Sequence, residues 1–178
     1  MQPAENVIVL GGGCFWCLDA VFRQVKGILS SECGYSGGNE NDATYYAVTS
    51  GATGHAEVVR LTYDIDMISP STILDIFFSI HDPTSKNRQG ADAGPQYRSV
   101  VFYKTADQHQ QIKLKLKEVQ RLWNKPIITE VVPLEHFYKA EEEHQDYFSK
   151  NPDSGYCTVV INPKLTKLKS SFREYLKS

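Results

Sequence analysis

The chain has 178 residues, 41% apolar and 22% charged, with a net charge of −2; that is enough for one sizeable core and excludes a broad basic field for nucleic acid or an anionic membrane. No apolar run reaches the roughly 20 residues of a membrane-spanning helix, and the start, MQPAENVIVL, lacks the basic region and long apolar stretch of a secretory signal. A cytoplasmic location is therefore expected, where the four cysteines serve catalysis or metal binding before a disulfide framework.

Asn6 to Leu10 reads as a buried strand, Gly11 to Gly13 as a turn, and Cys14 to Val25 as a helix, with Leu18, Val21, Phe22 and Val25 at helical spacing and Gly27 past its end. Ile28 to Gly34 follows as a strand. Glu57, Val59, Leu61 and Tyr63 alternate along one face of another. SPSTILDIFFSIHDP predicts a helix from near Ser71, stopped by Pro83. NRQGADAGPQYRS has loop composition, Ser99 to Tyr103 is a strand, and Ala106 to Trp123 is an amphipathic helix carrying Ile112, Leu116, Val119 and Trp123. Ile127 to Val132 is a strand, FYKAEEEHQDYF a short helix, and Thr158 to Ile161 a last strand. Leu165, Leu168, Phe172 and Leu176 mark a closing helix, with Lys164, Lys167, Lys169 and Lys177 as a solvated face. With no repeat or linker, the pattern gives one domain over 1–178, a two-layer α+β arrangement.

The glycine turn puts Cys14 at a helix N-terminus, where the orphan N–H groups and the dipole stabilise a thiolate. That position suits a nucleophile. Leu18, Val21, Phe22 and Val25 already fill the core stripe, so Phe15 and Trp16 cannot both join it. At least one should face the turn and offer a wall for a small apolar or sulfur-bearing group. Glu57, beside valine and leucine on its strand, reads either as a partly desolvated carboxyl able to act as an acid near neutral pH or, the reading these residues alone favour slightly, as an edge-strand glutamate in solvent. Tyr45, Asp92 and Tyr97 fall in polar, loop-like segments where binding groups gather. Glu141 and His144 have the spacing of some metal sites, but without a second such motif the histidine reads as structural.

Other motifs fail. The dinucleotide fingerprint would need glycine where Trp16 stands, and the Gly-Lys-Ser/Thr of a phosphate loop is absent. Cys14 and Cys17 are close, but Cys33 and Cys157 form no second pair for zinc. The Cys14-x-x-Cys17 spacing also fits a thiol–disulfide oxidoreductase, and a metal-binding or interaction module without catalysis is a third reading.

Taken together, GGGCFW, GYSGG, TGHAEVV, FFSIHDPTSKNRQGADAGPQYRS, FYKAEEEHQDYFSKNP and GYC, in this order from about residue 7 to residue 161, resemble the A-type peptide methionine sulfoxide reductases. One departure is Pro95, where a hydroxyl residue is more usual. The resemblance implies a mixed, mostly antiparallel sheet with helices packed against it, a ferredoxin-like plait with extensions. It implies reduction of methionine S-sulfoxide, free or in proteins. Cys14 would attack the sulfoxide sulfur, Phe15 and Trp16 would hold the methyl group, and Glu57 would protonate the oxygen. Tyr45 and Tyr97 would hydrogen-bond that oxygen, with Asp92 in the same network. A sulfenic acid on Cys14 would then condense with a second thiol, and thioredoxin or another dithiol would supply the electrons, with no metal or organic cofactor. Cys157 resembles the family's recycling cysteine. The ordered-looking tail behind it keeps Cys17 as a rival, and the two could act in sequence. Cys33 is read as core. No stable partner beyond the electron donor is suggested, so a monomer is expected.

Overall fold

The computed structural model describes residues 6–177; Met1 to Glu5, part of the stretch read for a targeting signal, lie outside it. In chain order the elements are β1 (Asn6–Gly11), α1 (Phe15–Phe22), β2 (Ile28–Ser36), α2 (Tyr45–Thr49), β3 (Ala56–Tyr63), α3 (Pro70–Ser79), β4 (Arg88–Gln89), β5 (Asp92–Ala93), β6 (Val100–Tyr103), α4 (Ala106–Gln120), β7 (Glu130–Pro133), β8 (Tyr138–Lys139), α5 (Tyr147–Lys150) and α6 (Asn162–Ser171).

The aliphatic run of β1 is apolar on both faces, which places a strand in the middle of a sheet. It pairs antiparallel with β3 on one side and β6 on the other. β2 pairs antiparallel with β3, and β8 with β2, while β7 runs parallel to β6. The six-stranded order is β7-β6-β1-β3-β2-β8. The inner four strands, with α1 between β1 and β2 and α3 between β3 and β6, make the expected plait, and the outer two extend it. Ile8, Leu10, Val59 and Leu61 pack under Leu18, Val21 and Phe22 of α1 and Ile73, Leu74 and Phe77 of α3. The opposite face, built on Val7, Val9, Val58 and Val100, is covered by Val132, Leu134 and Phe137 rather than by a helix. No helix among the described residues is long and apolar enough to cross a membrane.

Several local expectations are corrected. Thr158 to Ile161 is not a strand. Residues Cys157–Ile161 form a wide, π-type helical turn that runs into α6. The β-branched run favours a strand by propensity, but Cys157, Ile161, Leu165 and Leu168 make a buried helical stripe in the core, and packing overrides propensity. FYKAEEEHQDYF is not one helix. Its start adds β8 to the edge of β2, and the Gln145 side chain then holds both the N–H and the carbonyl of Cys33, at 2.8 and 2.9 Å. Asp146, at φ 52°, breaks the chain again before α5. The loop over 87–99 contains the β4–β5 hairpin and a 3₁₀ turn at Pro95–Tyr97. α3 begins at Pro70, one residue before the expected start, capped by Ser69, whose hydroxyl accepts from Thr72 N–H at 3.1 Å, and it ends at Ser79, before Pro83. The closing helix stops at Ser171, and Leu176 bridges back to Val25. Lys164 is not on a solvated face: its Nζ donates to the Ile80 carbonyl at 2.8 Å.

Candidate active site

Three glycines carry the chain from β1 to α1 for steric reasons. At Gly12 a Cβ would meet the His81 ring at 2.9 Å. Gly13 stands at φ +88°, where glycine is favoured, and its N–H donates to the Tyr97 carbonyl at 3.1 Å. The turn leaves Cys14 at the N-cap of α1, with no side-chain cap of its own. The helix start is instead capped from β3: Phe15 N–H donates to Glu57 Oε1 at 3.1 Å.

Glu57 lies on the helix-facing side of β3, as its alternation with Val59 and Leu61 predicts, and is 0% exposed. Its second oxygen, Oε2, is buried with no hydrogen-bond partner among the described residues. Burial, helped by the charge of Asp92, pushes its pKa up to about 8, against the pull of Phe15 N–H and the Cys14 thiol. At pH 7 the carboxyl is mostly neutral.

Cys14 corrects the expectation of a helix-lowered thiol pKa. Burial raises it well above the ordinary thiol value, and the charges of Glu57 and Cys17 act the same way; Trp16 N–H and the Tyr156 hydroxyl oppose them without prevailing. Loss of water outweighs the helix terminus here.

Tyr45 and Tyr97 are half-buried beside this pair. Tyr45 opens α2; its N–H donates to Glu141 Oε2 at 2.9 Å, and its ring centroid is 6.4 Å from that of Phe15. Burial followed by the charges of Glu57 and Cys14 pushes Tyr45 up to about 12 and raises Tyr97 as well, so both hydroxyls stay protonated donors. Asp92, at the start of β5, accepts from Tyr156 OH at 2.8 Å. Phe15 is fully buried in the core, and Trp16 is the half-exposed member of the aromatic pair. Trp16 stacks on Tyr147 at 3.7 Å between centroids, and its Nε1 donates to His144 Nδ1 at 3.1 Å.

Cys14, Glu57, Tyr45, Tyr97, Asp92 and Cys17 thus come together at one helix start, with Phe15 and Trp16 as its aromatic wall. Cys157 packs in the core at the base of α6, fully buried. Cys33 is also core, its thiol 3.7 Å from the Phe15 carbonyl. Glu141 does not pair with His144: it accepts from Tyr35 OH at 2.8 Å and positions Tyr45. Among the described residues no three His, Cys, Asp or Glu side chains gather as metal ligands would. Sequence reasoning missed Tyr147 and Tyr156. The only signal for Tyr156 was its place beside Cys157, and it enters the site through a contact spanning 139 residues, to Cys17 Sγ at 3.5 Å.

A buried thiol, a carboxylic acid held neutral and two phenol donors facing one turn are suited to attack an atom whose attached oxygen must be protonated. A family profile described as peptide methionine sulfoxide reductase matches residues 6–176. The chain belongs to the peptide methionine sulfoxide reductase family. It is 51% identical over 171 residues to the peptide methionine sulfoxide reductase MsrA of Pseudarthrobacter chlorophenolicus, covering 96% of this chain and 98% of that one. Among solved structures, the reduced form of Mxr1 from Saccharomyces cerevisiae superposes with a TM-score of 0.83 at 36% identity, over 88% of this chain and 91% of that one. Mxr1 in complex with Trx2 superposes with a TM-score of 0.59 at 27% identity, over 82% of this chain and 87% of that one. This family member is an enzyme, a methionine sulfoxide reductase, and its α+β architecture is that of its solved relatives.

Proposed function

We propose that the chain, acting as one catalytic domain over 1–178, reduces the S epimer of methionine sulfoxide, free and in oxidised proteins, with Cys14 as nucleophile and Glu57 as acid. The observation that carries this is the unpartnered Glu57 Oε2, buried beside the Cys14 thiol. At rest burial keeps both groups protonated, the Cys14 thiol and the Glu57 acid. The Cys14 thiol gives up its proton as its sulfur attacks the sulfoxide sulfur; the S–O bond breaks as Glu57 protonates the oxygen, which passes to Cys14 as a sulfenic acid, methionine leaves, and the thiol proton restores Glu57 as an acid. Tyr45 and Tyr97 donate to the oxygen as its charge grows, Asp92 belongs to the same polar network, and Phe15 and Trp16 receive the methyl group. Cys157 or Cys17 then condenses with the sulfenic acid, and thioredoxin reduces the resulting disulfide. The solved complex of the yeast relative with Trx2 supports that partner. No metal or organic cofactor takes part, and the protein works as a cytoplasmic monomer in repair.

The test is turnover of the purified protein with each sulfoxide epimer and a dithiol, reading methionine released. The S epimer should be consumed, the R epimer spared, and Cys14→Ser should be inactive. Equal use of both epimers, or activity left in Cys14→Ser, would overturn the assignment.

A further inference from the structure

Resting on that reading, a second thiol must close a disulfide with oxidised Cys14. We propose that this thiol is Cys17, and that Tyr156 and Asp92 carry its proton away. Cys17 lies in the first turn of α1, and its N–H donates to the Cys14 carbonyl at 3.1 Å. Residues three apart at a helix start are neighbours. Tyr156 OH stands 3.5 Å from Cys17 Sγ and donates to Asp92 Oδ2 at 2.8 Å. With its own proton committed to Asp92, the hydroxyl oxygen accepts from the Cys17 thiol, which makes a continuous path from S–H through O–H to a carboxylate.

The groups facing Cys17 fit this role. Burial raises its pKa; Lys164, tied to the Ile80 carbonyl, and the Tyr156 hydroxyl oppose that, while Asp92 and Glu57 add to it. The thiol is protonated at rest and needs an acceptor before it can attack. Cys157 is placed differently. It is buried in the core and its N–H donates to Ser154 Oγ at 3.2 Å. Its neighbour Tyr156 is held by Asp92 and lies edge-on to Trp16 at 5.5 Å. Drawing Cys157 out of the core would pull Tyr156 from these partners.

The step balances. The Cys17 proton passes through Tyr156 to Asp92. The Cys17 thiolate attacks Cys14 sulfur, the S–S bond forms and the S–O bond of the sulfenic acid breaks. The departing hydroxide takes up that one proton as water. Cys17 is oxidised as the sulfenic sulfur is reduced to the disulfide level.

The experiment is one turnover of the full chain with methionine S-sulfoxide and no reductant, followed by alkylation and a mass-spectrometric thiol map. One methionine per chain with Cys14 linked to Cys17 and Cys157 alkylated is the expected result. A Cys14–Cys157 link, or a sulfenic acid that persists, overturns the proposal. Absence of methionine would overturn the mechanism beneath it and is read separately from the map. In Tyr156→Phe, disulfide closure, timed after the sulfenic acid has formed, should slow by roughly 10- to 100-fold at neutral pH and recover as rising pH ionises Cys17 directly. An unchanged rate, or a deficit equal at all pH values, would remove Tyr156 from the relay.

Discussion

Replacing Glu57 by glutamine should make the protein more stable and far less active. The carboxyl is 0% exposed and its pKa rises from 4.5 to about 8. At pH 7 it is ionised in the unfolded chain and mostly neutral in the folded one, so folding must take up a proton at a cost of about 3 kcal/mol. Because the folded pKa is the higher one, the contribution of this group is complete below about pH 4.5 and is lost as pH rises through about 8. Glutamine keeps an oxygen for Phe15 N–H and needs no proton. Its amide nitrogen, in the place of the unpartnered Oε2, returns about 1–2 kcal/mol of that gain. The net at pH 7 is about 1–2 kcal/mol in favour of the variant, or a few degrees in Tm. Methionine formation should fall by roughly 10²- to 10⁴-fold, the usual worth of a general acid. Urea unfolding of both proteins at pH 5 and pH 8 isolates the effect, since the difference between them should grow by about 3 kcal/mol over that interval. A difference independent of pH would refute the raised pKa, and with it the physical basis for Glu57 as the acid.

Gly13→Ala should cost about 1–2 kcal/mol in chemical denaturation and lower the rate of methionine formation. The residue stands at φ +88°, and a Cβ there would meet Gln89 Cβ at 3.1 Å; unchanged stability would show that the turn is not fixed by this geometry. Asp19→Ala should cost about 2–4 kcal/mol by the same assay. Its carboxylate accepts from Ser31 Oγ at 2.6 Å, Arg23 Nε at 2.9 Å and Asp146 N–H at 3.0 Å, and a loss below about 1 kcal/mol would mean that those donors find other partners.

The parts of the site set by local pattern were legible in the sequence. Alternation put Glu57 on the face of Val59 and Leu61, and three glycines before a helical stripe put Cys14 at its N-terminus. What was not legible depends on where distant chain returns. Tyr156 reaches Cys17 only because Cys157 to Leu168 winds as a helix against the core, while its β-branched residues read as a strand. Gln145 lies in an apparent helix until Cys33 is seen to take both of its amide groups. Lys164 reads as solvated until the Ile80 carbonyl is found above it. In each case one or a few tertiary hydrogen bonds decide the residue's role, and no periodicity announces them.

The misjudged Cys14 pKa shows how the site divides its resources. A helix N-terminus has few free N–H groups, and here they are divided: Phe15 N–H goes to Glu57 at 3.1 Å, which leaves the Trp16 N–H as the backbone group that eases the Cys14 thiol. Neither group receives enough stabilisation to stay charged when buried, so burial raises both. That outcome serves the proposed chemistry better than a permanent thiolate would. A thiolate beside a carboxylate would repel it and leave no proton for the oxygen. With both groups protonated, the acid has a proton ready for the oxygen and regains one from the thiol as the sulfur attacks, and the polar S–O bond of a sulfoxide favours the arrangement in which sulfur faces the cysteine and oxygen faces the acid. The helix start then matters less as a source of charge than as a frame that fixes both groups around one substrate atom pair.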